Sequence, residues 1–401
     1  MDRKLRFLAS PIHFITIANL VVMISSQVRP DAALLHQRFW YVESDKIQVI
    51  IFGVAGSYFG IFCSRLRKRN IQKLEPQVSN KILHLRIERY GYLLFYLSII
   101  SYLIWILFDF RGWLGRGESA HLRTLPGLTT MTQLMPLSIS CLCFVYRMNK
   151  KDPKLIVFIT VGIVISVYRS FVNQERLTVI EAILSVCLVL MLTSTRKIGI
   201  SFRKLYIVLL LCTYSIFSIG EYFRSWEIYR YRLNQNFFQF SFERLVGYYT
   251  TSINNGAIYY DYHYEITNIP IYTFNFIWNF PILGEYFTAI FENGSSNLTV
   301  KELLLSSMDT DEFNNISPYL QIPAEVSIWG SFFIFGLVLF LISVIYNNIR
   351  SNSSWQIPLY SVLVVGLLEF PRIFWFGSGR AFPMIAMVLG MYISLSKLDR
   401  N

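Results

Sequence analysis

The chain has 401 residues, 54% of them hydrophobic and only 15% charged, with a formal net charge of +12. A soluble domain usually carries about 25% charged residues, so an ordinary water-soluble enzyme is excluded. The positive balance reads first as the cationic bias of inner membrane loops, with no nucleic-acid partner implied.

Apolar runs long enough to cross about 30 Å of hydrocarbon place spans near 10–27, 46–64, 91–109, 126–147, 155–172, 177–195, 204–222, 324–346, 356–371 and 381–397. The first run follows Arg3, Lys4 and Arg6 and imitates a secretory signal. The further apolar segments that follow it favour an uncleaved first span. Arg65, Arg67, Lys68, Arg69, Lys73, Lys81, Arg86 and Arg89 form the richest cationic loop, followed by 147–154 and 196–204. This pattern puts both termini in the cytoplasm. The expected fold class is an all-α integral membrane protein with about ten transmembrane helices and one large extracytoplasmic loop domain. Its organisation is a seven-span region over 1–222, a large periplasmic aromatic-rich loop over 223–323 and a three-span region over 324–401.

On the outer side only Lys46 and Lys301 are lysines; the other cations there are arginines. Arg presents a planar fork that grips phosphate through two parallel hydrogen bonds, whereas Lys is a hydrated point charge. The bias fits an anion-binding surface, and equally arginines reaching to lipid headgroups. The segment 223–323 is too long to be a connector. Its first third, Phe223 to Ile258, has few helix breakers and reads as helix. Asn268 to Pro281 is interrupted by proline and aromatics, and Ser295 to Asn315 is polar. No internal repeat is evident, which weighs against a transporter.

Three stretches put ionisable groups at a membrane surface: Tyr168 to Arg176 with Glu181, Glu221 to Arg224 with Arg230, Arg232 and Arg244, and Glu369 to Arg380. Glu369 and Arg372 are spaced for an internal helical pair. Tyr248, Tyr249, Tyr259 and Tyr260 suit a sugar-binding floor, because aromatic faces pack on the C–H faces of pyranose rings. The competing reading is that these tyrosines form the loop's own core. The five histidines are scattered, and no His-x-x-x-His, Asp-x-Asp, P-loop or Gly-x-Ser-x-Gly motif occurs. Cys63, Cys141, Cys143, Cys187 and Cys212 all lie in apolar runs, so neither a disulfide framework nor a thiolate metal site is expected. No cofactor is expected. Sugar transfer from a lipid pyrophosphate releases an anionic leaving group, which cationic side chains can stabilise. An attacking hydroxyl needs at most one base, for which Glu221, Asp261, His263 and Glu265 are the candidates.

Four features together resemble the O-antigen polymerase family of oligosaccharide repeat unit polymerases, within the wider GT-C-like group of membrane glycosyltransferases. They are Arg176 in Asn-Gln-Glu-Arg-Leu, the arginine-led start of the long loop at Arg224, the exit Asp311 to Ser317 leading to Trp329-Gly330-Ser331 and Gly336, and the stretch Arg372 to Arg380. The resemblance implies a polymerase at the periplasmic face of the inner membrane. Its substrates would be undecaprenyl-pyrophosphate-linked oligosaccharides, joined into O-antigen, capsule or exopolysaccharide. Membrane lipids and a chain-length regulator are the further partners it implies. It assigns Arg176, Arg224, Arg244, Arg372 and Arg380 as pyrophosphate contacts. The family's spacing of an Arg, ten residues and a Gly is not met, because eleven residues separate Arg244 from Gly256.

Three other readings compete. An O-antigen ligase-like enzyme would use a loop histidine, for which His263 is the candidate. A lipid-oligosaccharide flippase or other transporter would show broken, repeated spans. A eukaryotic glycosyltransferase would carry glycans at the sequons headed by Asn293, Asn297 and Asn315.

Overall fold

A computed structural model describes residues 3–28, 40–71, 80–114, 125, 127–148, 152–173, 177–194, 236–266, 270–278, 315–351 and 353–400, with 280, 284, 286 and scattered positions between 207 and 231. The structure is all-helical, at 85% helix with no strands among the described residues. The principal helices are α1 (Pro11–Ser25), α2 (Ser44–Ile71), α3 (Asn80–Phe108), α4 (Leu128–Met148), α5 (Pro153–Val172), α6 (Leu177–Thr193), α7 (Phe237–Ile266), α8 (Pro318–Asn347), α9 (Gln356–Glu369) and α10 (Phe382–Arg400). Three of them start at a polar residue followed by proline: Ser10-Pro11, Asp152-Pro153 and Ser317-Pro318. Proline fits the first helical position because its missing N–H would have had no partner there. The Asp152 carboxylate accepts from the Lys154 amide at 2.9 Å, satisfying one orphan donor of α5.

Among the described residues, five helices are long and apolar enough to cross a membrane: Ser44–Arg67 within α2, Ile82–Phe108 within α3, α4, α5 and α8. α1, α6, α9 and Phe382–Leu398 of α10 are shorter apolar helices at expected span positions. The expected span 204–222 lies largely outside the described residues. The chain is thus compatible with a multi-pass membrane protein.

α2 and α8 form the most extensive helix pair. Gly56 and Gly60 let the backbones meet: a Cβ on Gly60 would stand 2.0 Å from the Gly336 carbonyl oxygen, and one on Gly56 2.5 Å from that of Phe332. Small residues four apart allow this approach, which is how apolar helices associate without a hydrophobic driving force. At one end of the bundle the N-terminal segment is clasped. Arg6 Nη2 donates to the Ile349 carbonyl at 2.8 Å, and the hydroxyls of Tyr346 and Tyr360 donate to the carbonyls of Arg6 and Ala9.

Two expectations are revised. The eighth span, expected from 324, starts at Pro318, because Ser317-Pro318 is a helix start and Gln321, Glu325 and Ser327 dilute the hydropathy of its first turns. The helix is also interrupted at Ser327, whose φ of 79° leaves the right-handed region. The reading of Phe223 to Ile258 as one helix gives way to a π-helical turn, Tyr222–Trp226, and a separate α7 from Phe237. Asn236 Oδ1 accepts from the Gln239 amide at 2.9 Å at that start. α7 packs against α8 and α1, and its polar run from Thr250 to Asn255 is buried. The Tyr41 amide donates to Asn254 Oδ1 at 2.7 Å, and the Ser317 amide to the Ser252 carbonyl at 2.9 Å.

Candidate functional site

The turn between α9 and α10 gathers charge. The backbone amides of Arg372 and Ile373 donate back to the Glu369 carbonyl at 2.8 and 2.9 Å, closing the end of α9. Trp375–Gly377 is a 3-10 turn, and Ser378 Oγ accepts from the Ala381 amide at 3.2 Å as α10 begins. The tightness requires Gly377, because a Cβ there would lie 2.2 Å from the Thr273 carbonyl oxygen. Within this turn Arg372 Nη2 sits 2.9 Å from Glu369 Oε2, and the guanidinium lies 5.5 Å above the Tyr248 ring. The pair is misaligned: Glu369 Oε2 makes no hydrogen bond, and the buried Arg372 Nε has no acceptor among the described residues. Burial works against the Arg372 cation; Glu369, then Tyr248 and Tyr249, raise its pKa above the ordinary value, while Arg380 repels it.

Arg380 donates through Nη2 to Thr178 Oγ1 at 2.9 Å and to Glu181 Oε2 at 3.2 Å. Trp375 Nε1 donates to Glu181 Oε1 at 3.0 Å. Glu181, 1% exposed at the start of α6, is therefore held at both oxygens. Arg372 and Arg380 reach one cluster from a single turn, with Tyr248 and Tyr249 of α7 against it.

Arg244, one turn before Tyr248 on α7, is 1% exposed. Its Nε donates to Glu221 Oε2 at 3.1 Å and its Nη2 to Ser225 Oγ at 3.1 Å, and the rings of Tyr229 and Phe240 flank it at 5.5 and 5.6 Å. Glu221 and Arg244, expected as base and phosphate contact, are spent on each other in this conformation. Asp261 is likewise engaged, with its Oδ1 2.8 Å from Lys46 Nζ.

His263 lies in a different arrangement. Tyr259 Oη donates to Glu325 Oε1 at 2.8 Å and lies 3.0 Å from His263 Nδ1. With the phenol proton directed at Glu325, Nδ1 carries the proton and donates to Oη. Glu325 also accepts from the backbone amides of Tyr272 at 2.9 Å and Thr273 at 2.7 Å, tying the segment after α7 to α8 just before the Ser327 break. Burial holds the His263 pKa below its usual value. Burial, then the Glu325 charge, pushes the Tyr272 phenol up to about 12. Tyr259 is fully enclosed, and Tyr260 is partly buried beside it. Of the expected sugar floor, Tyr248 and Tyr249 adjoin the arginine cluster, and Tyr259 serves the Glu325 network.

Arg176 lies outside the described residues, as do the side chains of Arg224 and Glu265. Sequence reasoning passed over Glu325, which sits at the edge of an apolar run; the i, i+4 spacing of Tyr259 and His263 on α7 is the only sequence trace of its network. It also gave no role to Arg169, which is 4% exposed, donates through Nη1 to Thr132 Oγ1 at 2.6 Å and lies 5.3 Å over the Trp105 ring. No group of three or more His, Cys, Asp or Glu able to hold a metal ion occurs among the described residues.

Chemically, the cluster offers cations at the helix ends and aromatic faces beside them, and the neutral His263 imidazole belongs to the separate Tyr259–Glu325 network. Comparison with protein-family models, with curated proteins and with solved structures finds no match.

Proposed function

We propose that this chain is a ten-span, GT-C-like glycosyltransferase of the inner membrane. It joins undecaprenyl-pyrophosphate-linked oligosaccharide repeat units at the periplasmic face, with both termini cytoplasmic. The observation that carries the reading is the convergence of Arg372 and Arg380 beside Tyr248, with Arg372 Nε buried and without an acceptor among the described residues. A guanidinium has five donors, and an unmatched one suits an incoming phosphate oxygen. The cationic loops at the other end of the bundle support the orientation, and the resemblance described above supports the substrate.

In the proposed reaction a hydroxyl oxygen of the acceptor sugar attacks the anomeric carbon of the donor. The bond from that carbon to the diphosphate oxygen breaks, and the diphosphate leaves as an anion facing Arg372 and Arg380. Donors fixed where charge develops stabilise the transition state more than the ground state. His263 lies fifteen residues along α7 from Tyr248, about 22 Å at 1.5 Å per residue, too far to take a proton from a hydroxyl attacking beside Arg372. Glu221 and Asp261 are bound to cations. Membranes from cells lacking the gene should carry surface polysaccharide of a single repeat, and a complete ladder of chain lengths on a gel would defeat the proposal.

One observation favours a transporter: the interruption of α8 at Ser327, since broken spans line transport sites. Lipid translocation by the purified protein in liposomes, without chain growth, would establish that reading.

A further inference from the structure

The turn that carries Arg372 and Arg380 contains Gly377 and Gly379, and glycine constrains a backbone least. What holds Arg380 in place therefore has to come from outside the turn. Its guanidinium is fixed by Thr178 and Glu181 of α6. Its backbone is bracketed by another piece of the chain, Pro270 to Trp278 of the long loop. The Asn275 side-chain oxygen accepts from the Gly379 amide at 3.1 Å. The Phe276 ring stacks on that of Phe382, with centroids 5.0 Å apart and planes 4° from parallel. The Thr273 carbonyl occupies the space that Gly377 leaves for it. These contacts fall on both sides of Arg380 in the chain.

The segment is closed on itself and anchored. The Phe274 amide at 3.1 Å and Trp278 Nε1 at 2.9 Å both donate to the Pro270 carbonyl. Glu325 of α8 accepts from the Tyr272 and Thr273 amides. Tyr259 of α7 donates to the same carboxylate and sets its ring edge-on to Tyr272 at 5.5 Å. A continuous path of contacts thus runs from the Glu325 network to the residue before Arg380. Donors held in place before a ligand arrives bind it more tightly, because less ordering remains to be done. We infer that Pro270 to Trp278 is a buttress for the arginine turn. Glu325 is its anchor, and Asn275 and Phe276 are positioning residues that hold Arg380 where it meets the diphosphate. The inference rests on the glycosyltransferase reading and adds to it a role for this loop segment and for Glu325.

The test uses full-length protein in nanodiscs, with undecaprenyl pyrophosphate as the probe. Asn275→Ala removes the acceptor for Gly379 and should weaken binding about fivefold, the contribution of one neutral hydrogen bond, with a melting temperature within a few degrees of wild type. Phe276→Leu keeps an apolar side chain but loses the ring stack, and should weaken binding about twofold or more. In an Arg380→Lys background the planar fork is already gone. Asn275→Ala should cost nothing more there, since a positioning residue acts through the group it positions. Wild-type affinity in folded Asn275→Ala overturns the inference, and if that variant does not fold, wild-type affinity in Phe276→Leu overturns it instead. An equal loss from Asn275→Ala in both backgrounds also overturns it, because the residue would then act on the fold at large. A wild type that does not bind the lipid defeats the glycosyltransferase reading and this inference with it.

Discussion

Replacing Glu221 by Gln isolates the energetics of the Arg244 pair. The two side chains are 1% and 0% exposed, and the contact is 3.1 Å. With the carboxylate neutralised, the guanidinium keeps the Ser225 hydroxyl at 3.1 Å and the rings of Tyr229 and Phe240. A neutral hydrogen bond contributes about 1 kcal/mol and a desolvated ring contact about 2 kcal/mol, which does not cover the cost of a buried cation. Breaking such a pair typically costs about 3–5 kcal/mol, whereas replacing both partners by apolar residues is neutral or stabilising by about 1–4 kcal/mol. At about 2–4 °C per kcal/mol, Glu221→Gln should lower the melting temperature by roughly 6 °C or more, and Glu221→Leu with Arg244→Met should restore it. Thermal unfolding followed by intrinsic fluorescence in one detergent measures both. If the single and double variants melt within a degree of each other, the pair does not hold an otherwise uncompensated charge, and the reasoning fails. The double variant also bears on catalysis: chain growth that survives it makes Arg244 a structural residue, and chain growth that vanishes while the fold persists makes it a phosphate contact.

Arg372→Lys should leave a monodisperse protein but cut chain growth at least tenfold, because an ammonium cannot reproduce the planar fork; an unchanged polysaccharide ladder would count against the phosphate role. Gly60→Val should abolish folded material in size-exclusion chromatography, since the new Cβ would meet the Gly336 carbonyl oxygen at 2.0 Å. His263, whose pKa is lowered in the fold, gives stability an acid limb. Above its ordinary value of 6.5 the folded and unfolded states are both neutral there. As pH falls below that, the unfolded state binds the proton first and the fold loses stability. His263→Gln should flatten that limb in melting curves taken between pH 7 and 5, and an unchanged slope would place the titration elsewhere.

Apolar helices are readable from hydropathy because lipid demands a long apolar run whatever packs beside it. Helix starts are readable where proline follows a polar residue, as at Ser10, Asp152 and Ser317. The Glu369–Arg372 pair is also readable, since three residues of helix bring the two groups together. The pairing of Arg380 with Glu181 is not, because 199 residues separate them and only the packing of α6 beside α9 brings the turn that carries Arg380 to Glu181. The same limit hides the burial of α7. Its run of threonine, serine and asparagine from 250 to 255, broken only by Ile253, has the composition of a solvated face, yet α1 and α8 cover it. Glu325 escapes notice for the opposite reason, as a single carboxylate where an apolar run begins.

Each described arginine of the expected phosphate set carries a carboxylate: Arg244 with Glu221, Arg372 with Glu369 and Arg380 with Glu181. A buried cation without a counter-ion would cost more than a membrane helix end can offset, so the pairs are what allow these arginines to sit there at all. The three pairs differ in exposure and alignment. Arg244 is sealed at 1% and well aligned, whereas Arg372 and Arg380 are each 23% exposed, and the Arg372 contact is misaligned. An arriving diphosphate competes best where the resident carboxylate binds worst. Arg372 is therefore the position at which an anion gains most by adding to the pair, with Arg380 beside it through the same turn. By the same reasoning, the well-formed Arg244–Glu221 pair serves the fold, and the misaligned Glu369–Arg372 contact is where the proposed chemistry is to be sought.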